Sequence, residues 1–442
     1  MNMPLGQPGL ARPSAGNKLR LPSLCLVTLC LGCGDDALSG RGDTGSDVAD
    51  VHDTADSADT ADSTDTRNPD SADTRDPDSA DTRDPDSADT RVDDTRDAGP
   101  DTTVTPDTTV TPDTTETSDT EVQSDPTCPP ATCAAAPPAL GAVSDWRHPV
   151  GTGFVTLQGS ARHRGRDLYL REGDAQWALA KFAYGPFDDD LVDEDIDIYL
   201  LRDCGSTSPT WELLGTATTT DDGDHGTVEG IADSGGWVYF PIPGDKTLGL
   251  GRHRLRFVVR GDHSQTDQFI EVLPADARFV VSDVDGTQTE TETAEFTAVF
   301  FGTDPAAQPH GAEALSAFAA RGYHIFYLTA RPEWLAARTH EWLDAHGYPP
   351  GLVHTTLTFT GSFGGSAETF KTDEMNALLA RFPGSIVVGI GNTASDEAAY
   401  HNVGLPSGSA YLYQFDPASA GTRVDDYARL VPVARALPNR CD

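Results

Sequence analysis

The chain is poor in basic residues. Its 442 residues include 31 Lys and Arg against 70 Asp and Glu, a formal net charge of -39. Phosphate backbones are held by Lys and Arg, so this balance argues against nucleic acid as a partner. It also argues against simple electrostatic docking on anionic lipid. Apolar side chains are sparse as well, at 37%, which implies that part of the chain does not fold. One apolar run, residues 21–31, is too short to span a bilayer comfortably. No His pair stands at zinc-ligand spacing near the cysteines that follow that run.

What the first 33 residues do have is an export pattern. Arg12, Lys18 and Arg20 precede the apolar run, which ends in Leu29-Cys30-Leu31-Gly32-Cys33. Gly32 before Cys33 resembles the lipobox of bacterial lipoproteins, although Cys30 stands where a Leu is usual. The resemblance implies a lipidated Cys33 and a stable membrane anchor. The expected location is then the periplasmic or outer face, with simple secretion as the alternative. Residues 34–139 follow as an expected disordered linker rich in Asp, Thr and Pro. Its stretch 34–127 holds 28 acidic and 6 basic side chains, a balance of -22. An eight-residue repeat fills 68–75, 76–83 and 84–91. It has no apolar position and cannot bury a core, so a solvated tether is expected. The Gly turn and terminal Glu of a calcium loop are missing.

Seven cysteines occur. Cys25, Cys30 and Cys33 belong to the leader, leaving Cys128, Cys133, Cys204 and Cys441, an even number in an exported chain. Of the three possible connectivities, the expectation is a small Cys128–Cys133 loop, with Cys204–Cys441 tying the next domain to the C-terminus.

Residues 140–274 read as strands. Apolar and aromatic runs at 153–157, 167–170, 176–184, 195–201, 211–218, 236–242, 252–259 and 268–273 are separated by turn residues. Short strands at this spacing predict an all-β sandwich. Two acidic loops stand out, Asp188-Asp189-Asp190 with Asp193-Glu194-Asp195, and Asp221-Asp222-Gly223-Asp224. They read as solvated turns, with calcium binding as the alternative.

Residues 275–442 change to strands alternating with helices, an α/β domain with a parallel sheet. Strands are expected at 279–284, 324–328, 353–359, 385–390 and 408–414, and helices at 310–321, 332–346, 369–382 and 395–402. The first strand runs into Asp283-Val284-Asp285-Gly286-Thr287. Thr329 and Arg331 follow the second strand, Lys371 lies on a helix, and Asn392 and Asp396 follow the fourth strand. Carboxyl ends of parallel strands share one edge, so these residues converge. The set suits phosphoryl chemistry: a carboxylate nucleophile, a second carboxyl as acid and base, and Thr and Lys on phosphate oxygens. His310, His324 and His340 show no partner pattern and read as structural.

These motifs, in this order, resemble those of haloacid dehalogenase (HAD)-like phosphatases. Tyr327-Leu328-Thr329-Ala330-Arg331 and Gly391-Asn392-Thr393-Ala394-Ser395-Asp396 with Tyr400 look like the lipin/Ned/Smp2 (LNS) domain of lipins and of phosphatidylinositol transfer proteins. The resemblance covers residues 279–415. It implies a HAD-like Rossmannoid sheet beside an immunoglobulin-like β-sandwich, the two following the disordered acidic tether. The gaps from Thr287 to Thr329 and from Thr329 to Lys371, about 40 residues each, leave no room for a cap domain, so the site is expected to be uncapped. The resemblance implies Asp283 as nucleophile, Asp285 as general acid and base, and Thr329, Lys371 and Arg331 on the phosphoryl group. Asp283, Asp285, Asn392 and Asp396 would hold Mg. The expected function is a Mg-dependent phosphatase acting on a phosphorylated substrate, with phosphatidate in view. The alternative is a non-catalytic module that binds phosphatidic acid. The open site needs a group to exclude water, either the β domain or a flap formed by residues 288–302, rich in Thr and Glu and then aromatic.

Overall fold

The computed structural model describes residues 126–290 and 305–441. All of them lie in one compact unit, Pro112–Asp442. The expected leader with Cys33, the acidic repeats and most of the expected flap fall outside the described residues. Among the described residues no helix is long and apolar enough to cross a membrane.

The first domain opens with a helix, α1 (Pro149–Thr156), where a strand was expected at 153–157. The correction has a long-range cause. Glu194 brings its carboxylate to the start of the helix, where it accepts the amides of Arg147 and His148 and the Thr152 hydroxyl. Open N–H groups at a helix start favour a negative charge, and Pro149 suits the first turn. The acceptor comes from over 40 residues away, beyond the reach of local pattern.

Strands follow as β1 (Arg164–Gly165), β2 (Leu168–Arg171), β3 (Trp177–Lys181), β4 (Ala183–Tyr184), β5 (Asp189–Asp190), β6 (Asp195–Arg202), β7 (Thr210–Thr218), β8 (Trp237–Pro241), β9 (Gly251–Val259) and β10 (Gln265–Leu273). They form a five-stranded sheet, β2-β10-β9-β6-β7, a three-stranded sheet, β1-β3-β8, and a β4-β5 hairpin. Alternation fills the space between the sheets: Ile196, Ile198 and Leu200 of β6 meet Leu179 and Val238 in one core. The acidic loop at 188–195 is more than a solvated turn. Asp188 pairs with Arg164, Asp190 with Lys181, and Asp193 and Asp195 with Arg147.

The disulfides are Cys128–Cys441 and Cys133–Cys204. The expected Cys128–Cys133 and Cys204–Cys441 pairs are thereby corrected. No helix or turn shortens the chain between Cys128 and Cys133, and five extended residues span roughly 16 Å. Cys128 therefore stays against the second domain, where its amide donates to the Ala320 carbonyl. Cys133 reaches the turn between β6 and β7.

The second domain has strands β11 (Phe279–Ser282), β12 (His324–Leu328), β13 (Gly351–His354), β14 (Ile386–Gly391), β15 (Ala410–Tyr413) and β16 (Thr422–Val424). Every pairing is parallel. The order is β13-β12-β11-β14-β15-β16, which reverses between β11 and β14 in the doubly wound manner. The helices are α2 (Gly311–Ala319), α3 (Ala336–Ala345), α4 (Gly365–Arg381), α5 (Ala394–Asn402) and α6 (Leu430–Ala436). Val280, Ile325 and Ile390 face α2 and α6. Phe279, Val281 and Phe326 face α4 and α5, together with Tyr169 and Leu273 of the sandwich. Burial on both faces explains the continuous apolar strands. The expected strand at 353–359 ends at His354, so residues 355–364 form a loop, and β16 and α6 lay beyond the expected elements.

Polar bonds join the two domains. The Tyr169 hydroxyl donates to the Ile325 carbonyl at 2.7 Å. Asp167 accepts the Val353 amide and lies 2.7 Å from His340 Nε2. Arg164 reaches Glu333, Arg166 reaches Glu374, and Glu271 meets His324. His324 and His340 are structural, as their lack of a sequence pattern suggested. His310 pairs with Asp426 at the surface.

Candidate functional site at the sheet reversal

The residues singled out by sequence meet where the strand order reverses. The backbone continues the ladder past β11, because the Asp283 amide donates to the Ile390 carbonyl of β14. Asp283 is buried and Asp285 half-buried. Gly286 has φ 68°, a left-handed turn that glycine adopts without strain. Thr287 then folds back, and its hydroxyl lies 3.0 Å from Asp283 Oδ2 and 2.8 Å from Asn392 Oδ1. This Thr was part of the motif but had no assigned role. It joins the ends of β11 and β14.

Lys371 sits two turns into α4, buried between two carboxylates. Its Nζ donates to Asp283 Oδ1 at 2.7 Å and Asp396 Oδ1 at 2.5 Å. The other Asp396 oxygen accepts the amides of Asn392 and Thr393 and the Thr393 hydroxyl, closing a capping box on α5. Arg331 lies directly beyond β12. Its Nε and Nη2 hold Asp285, while Nη1 donates to Thr339 on α3 at 2.8 Å. The Thr329 hydroxyl also donates to Asp285, at 2.9 Å. Thr339 was invisible to sequence reasoning, since nothing marks a helical Thr as the support of an Arg eight residues earlier.

Asp283, Asp285, Thr329, Arg331, Lys371, Asn392 and Asp396 thus form one cluster, with the two cations inside it. Burial pushes the Asp283 carboxyl up to about 7, against the pull of Lys371 and with the charges of Asp396 and Asp285 adding to the rise. Burial works against the Lys371 ammonium, yet Asp283 and Asp396 hold its pKa above that of a free lysine. In this arrangement both expected catalytic carboxylates are engaged, Asp283 by Lys371 and Thr287, and Asp285 by a two-nitrogen Arg331 clamp.

The four residues expected to hold Mg are each bonded to protein groups in this arrangement. Among the described residues no three His, Cys, Asp or Glu side chains gather as a metal site. Asp285 is held by Arg331, Asp396 by Lys371 and the α5 cap, and Asn392 Oδ1 accepts from Thr287. Lys371 and Arg331 offset two of the three carboxylate charges of Asp283, Asp285 and Asp396.

Residues 280–414 match the LNS2 domain of PITM 1-3, and residues 161–272 match the beta-sandwich domain of PITM 1-3. The C-terminal domain is of the LNS type. The chain is 28% identical over 254 residues to protein retinal degeneration B of Drosophila melanogaster, covering 57% of this chain and 18% of that protein. Membrane-associated phosphatidylinositol transfer protein 1 of Homo sapiens matches to the same extent. Membrane-associated phosphatidylinositol transfer protein 3 of Homo sapiens is 28% identical over 195 residues, 44% of this chain and 18% of that one. The chain therefore spans under a fifth of the length of these relatives. A solved class C acid phosphatase from Bacillus anthracis overlaps 27% of this chain and 54% of its own at 18% identity, with a TM-score of 0.22, which carries no argument.

These relatives overturn the expectation of a Mg-dependent phosphatase. The LNS domain is shared with proteins named for phosphatidylinositol transfer, and the engaged carboxylates are consistent with that correction.

Proposed function

We propose that the chain is a phospholipid-binding module that takes a phosphorylated lipid headgroup at the carboxyl edge of its parallel sheet. The observation that carries this reading is the order of the two matches. A PITM-type sandwich at 161–272 precedes an LNS2 domain at 280–414, as one similarity of 254 residues to membrane-associated phosphatidylinositol transfer proteins. Thr329, Arg331 and Lys371 are the groups this reading assigns to phosphate oxygens, the strongest acceptors a headgroup offers. A phosphate entering the cluster competes with Asp283 and Asp285 for the same cations, so low net charge on the carboxylates favours it. Within this reading the α/β domain keeps an uncapped, HAD-like build and serves as a receptor. The reading also puts the module outside the cytoplasm, held to a membrane through a lipidated Cys33.

Titration of the full chain with soluble dihexanoyl phosphatidate, with dihexanoyl phosphatidylcholine as control, tests the headgroup reading. Saturable binding of the phosphatidate, at least tenfold tighter than the control and unchanged by EDTA, is expected. Equal or absent binding of the two lipids overturns it.

A further inference from the structure

Three separate segments expose apolar side chains on neighbouring parts of the surface. On α1 and the residue that caps its C-terminal end, Val150, Phe154 and Leu157 follow one another at helical spacing of four and three residues, and all three are exposed, Leu157 at 85%. The opposite side of the helix is the one that packs, with Thr152 buried and Val155 against the sandwich core. An apolar stripe turned outward on so short a helix is the reverse of what a soluble surface favours.

The second segment is the β4-β5 hairpin, whose tip presents Phe187 at 75% exposure. It abuts the end of α1. The Gly185 amide donates to the Ser160 carbonyl, and a Cβ on Gly185 would lie 2.8 Å from the Gln158 Cβ. The third segment is the loop 355–364, which exposes Phe359 and, at 72%, Phe363. Trp334 and two arginines connect it to the hairpin. Arg162 stacks over the Trp334 ring at 4.2 Å, the Trp334 indole donates to the Phe359 carbonyl, and Arg164 holds both Asp188 and Glu333. The same loop is pinned beside the candidate site. The Ser362 amide donates to the Ala330 carbonyl and the Thr356 hydroxyl to the Arg331 carbonyl.

We propose that Phe154, Leu157, Phe187, Phe359 and Phe363 form a docking surface that inserts into the interface of a lipid bilayer and sets the LNS site against it. The orientation of the site rests on the headgroup reading above; the surface itself rests on the exposed side chains. Two observations favour a bilayer over another protein. The apolar groups are separated tips on a helix and two loops, four Phe and one Leu, and such side chains bury into the boundary between headgroups and acyl chains. They are also continuous with the edge that would receive a membrane-borne phosphate. The acidic loop beside Phe187 keeps a net negative charge, since Arg164, Lys181 and Arg147 pair with Asp188, Asp190, Asp193 and Asp195 but are outnumbered by the six acidic side chains at 188–195, so it disfavours an anionic surface and leaves a neutral one open. The chain's charge of -39 disfavours binding driven by anionic lipid, so apolar insertion into a neutral bilayer is the mode expected.

The test uses the full chain with Cys33→Ser, which removes the lipid anchor, and phosphatidylcholine vesicles brominated near the headgroup. Tryptophan fluorescence is expected to be quenched, and Trp334→Phe to lose most of that quenching. Phe359→Ser with Phe363→Ser is expected to cut quenching and vesicle co-flotation at least threefold, while leaving dihexanoyl phosphatidate binding within twofold. Quenching that is the same with Trp334→Phe, or co-flotation unchanged by the Phe pair, overturns the docking surface. So does sedimentation in which the Phe pair converts a dimer to a monomer without affecting vesicle binding, since the face then joins two copies of the chain. If soluble phosphatidate fails to bind while Trp334 is still quenched, the headgroup reading falls and the docking surface stands.

Discussion

At the scale of the residue, Asp283 is where burial and charge pull hardest in opposite directions. Its folded pKa of about 7 lies well above the 3.8 of an ordinary Asp. The folded state therefore binds more protons than the unfolded one between these values, and stability falls as pH rises from about 4 to about 7. Asp283→Asn removes that slope. The stability difference between wild type and variant, measured by urea unfolding at steps from pH 4 to 8, should drift against the wild type up to about pH 7 and then level. A difference that stays flat would exclude the raised pKa. The same variant takes one negative charge from the cluster and should retain phosphatidate binding. Sequence singled out Asp283, Asp285, Thr329, Arg331, Asn392 and Asp396, because motif order on a parallel sheet fixes which strand ends they occupy, and Lys371 by its place in that order. It did not show the pairing. That Lys371 bridges Asp283 and Asp396 while Arg331 clamps Asp285 depends on α4 and on Thr339 of α3, which no spacing rule connects to the strand ends.

At the scale of the element, the reversal between β11 and β14 makes the site, and Gly391 at the end of β14 lets it close. A Cβ on Gly391 would stand 2.4 Å from the Asp396 Cβ and 2.5 Å from its Cγ, closer than side chains tolerate. Gly391→Ala is expected to push α5 from the strand end, at about 1–3 kcal/mol of stability, and to weaken phosphatidate binding at least fivefold. Binding at wild-type affinity would show that Asp396 need not sit there. Strands β11, β12, β14 and β15 and helices α2 to α5 were legible because period and length agree over long segments, whereas β16 and α6 lay beyond the expected elements. Two further runs were read as strands. The run at 153–157 looks like a strand until Glu194 supplies the acceptor that starts α1. The run at 353–359 has strand composition throughout, yet beyond His354 the Thr356 and Ser362 backbones bond to residues 330 and 331, which bends it into a loop.

At the scale of the whole molecule, the two domains are joined by buried charge. Burial would raise the pKa of Asp167, but His340 and the amides of Val353 and Phe269 more than offset it, so it lies below the usual range. Glu271, desolvated but held by His324 and Arg252, is likewise depressed. Groups depressed in the fold stabilise it above their ordinary values of 3.8 and 4.5, and that contribution is lost as pH falls below them. Asp167→Ala, which strips the acceptor from two amides and His340, should cost about 3–5 kcal/mol by denaturant unfolding at pH 7. It should narrow the gap to wild type in acid, and a gap independent of pH would count against the ion pair as its cause. Mass spectrometry of the mature N-terminus should find a diacylated Cys33, and an unmodified residue there would remove the anchor from the reading. By itself the sequence determined the domain order, the parallel sheet and the strand ends that carry the site, because periodicity and motif spacing are local properties of a chain. The tertiary structure decided which cysteines pair, how the site's charges are matched, and how the domains hold one another. Those outcomes depend on groups far apart in sequence and on the cost of burying charge without a partner.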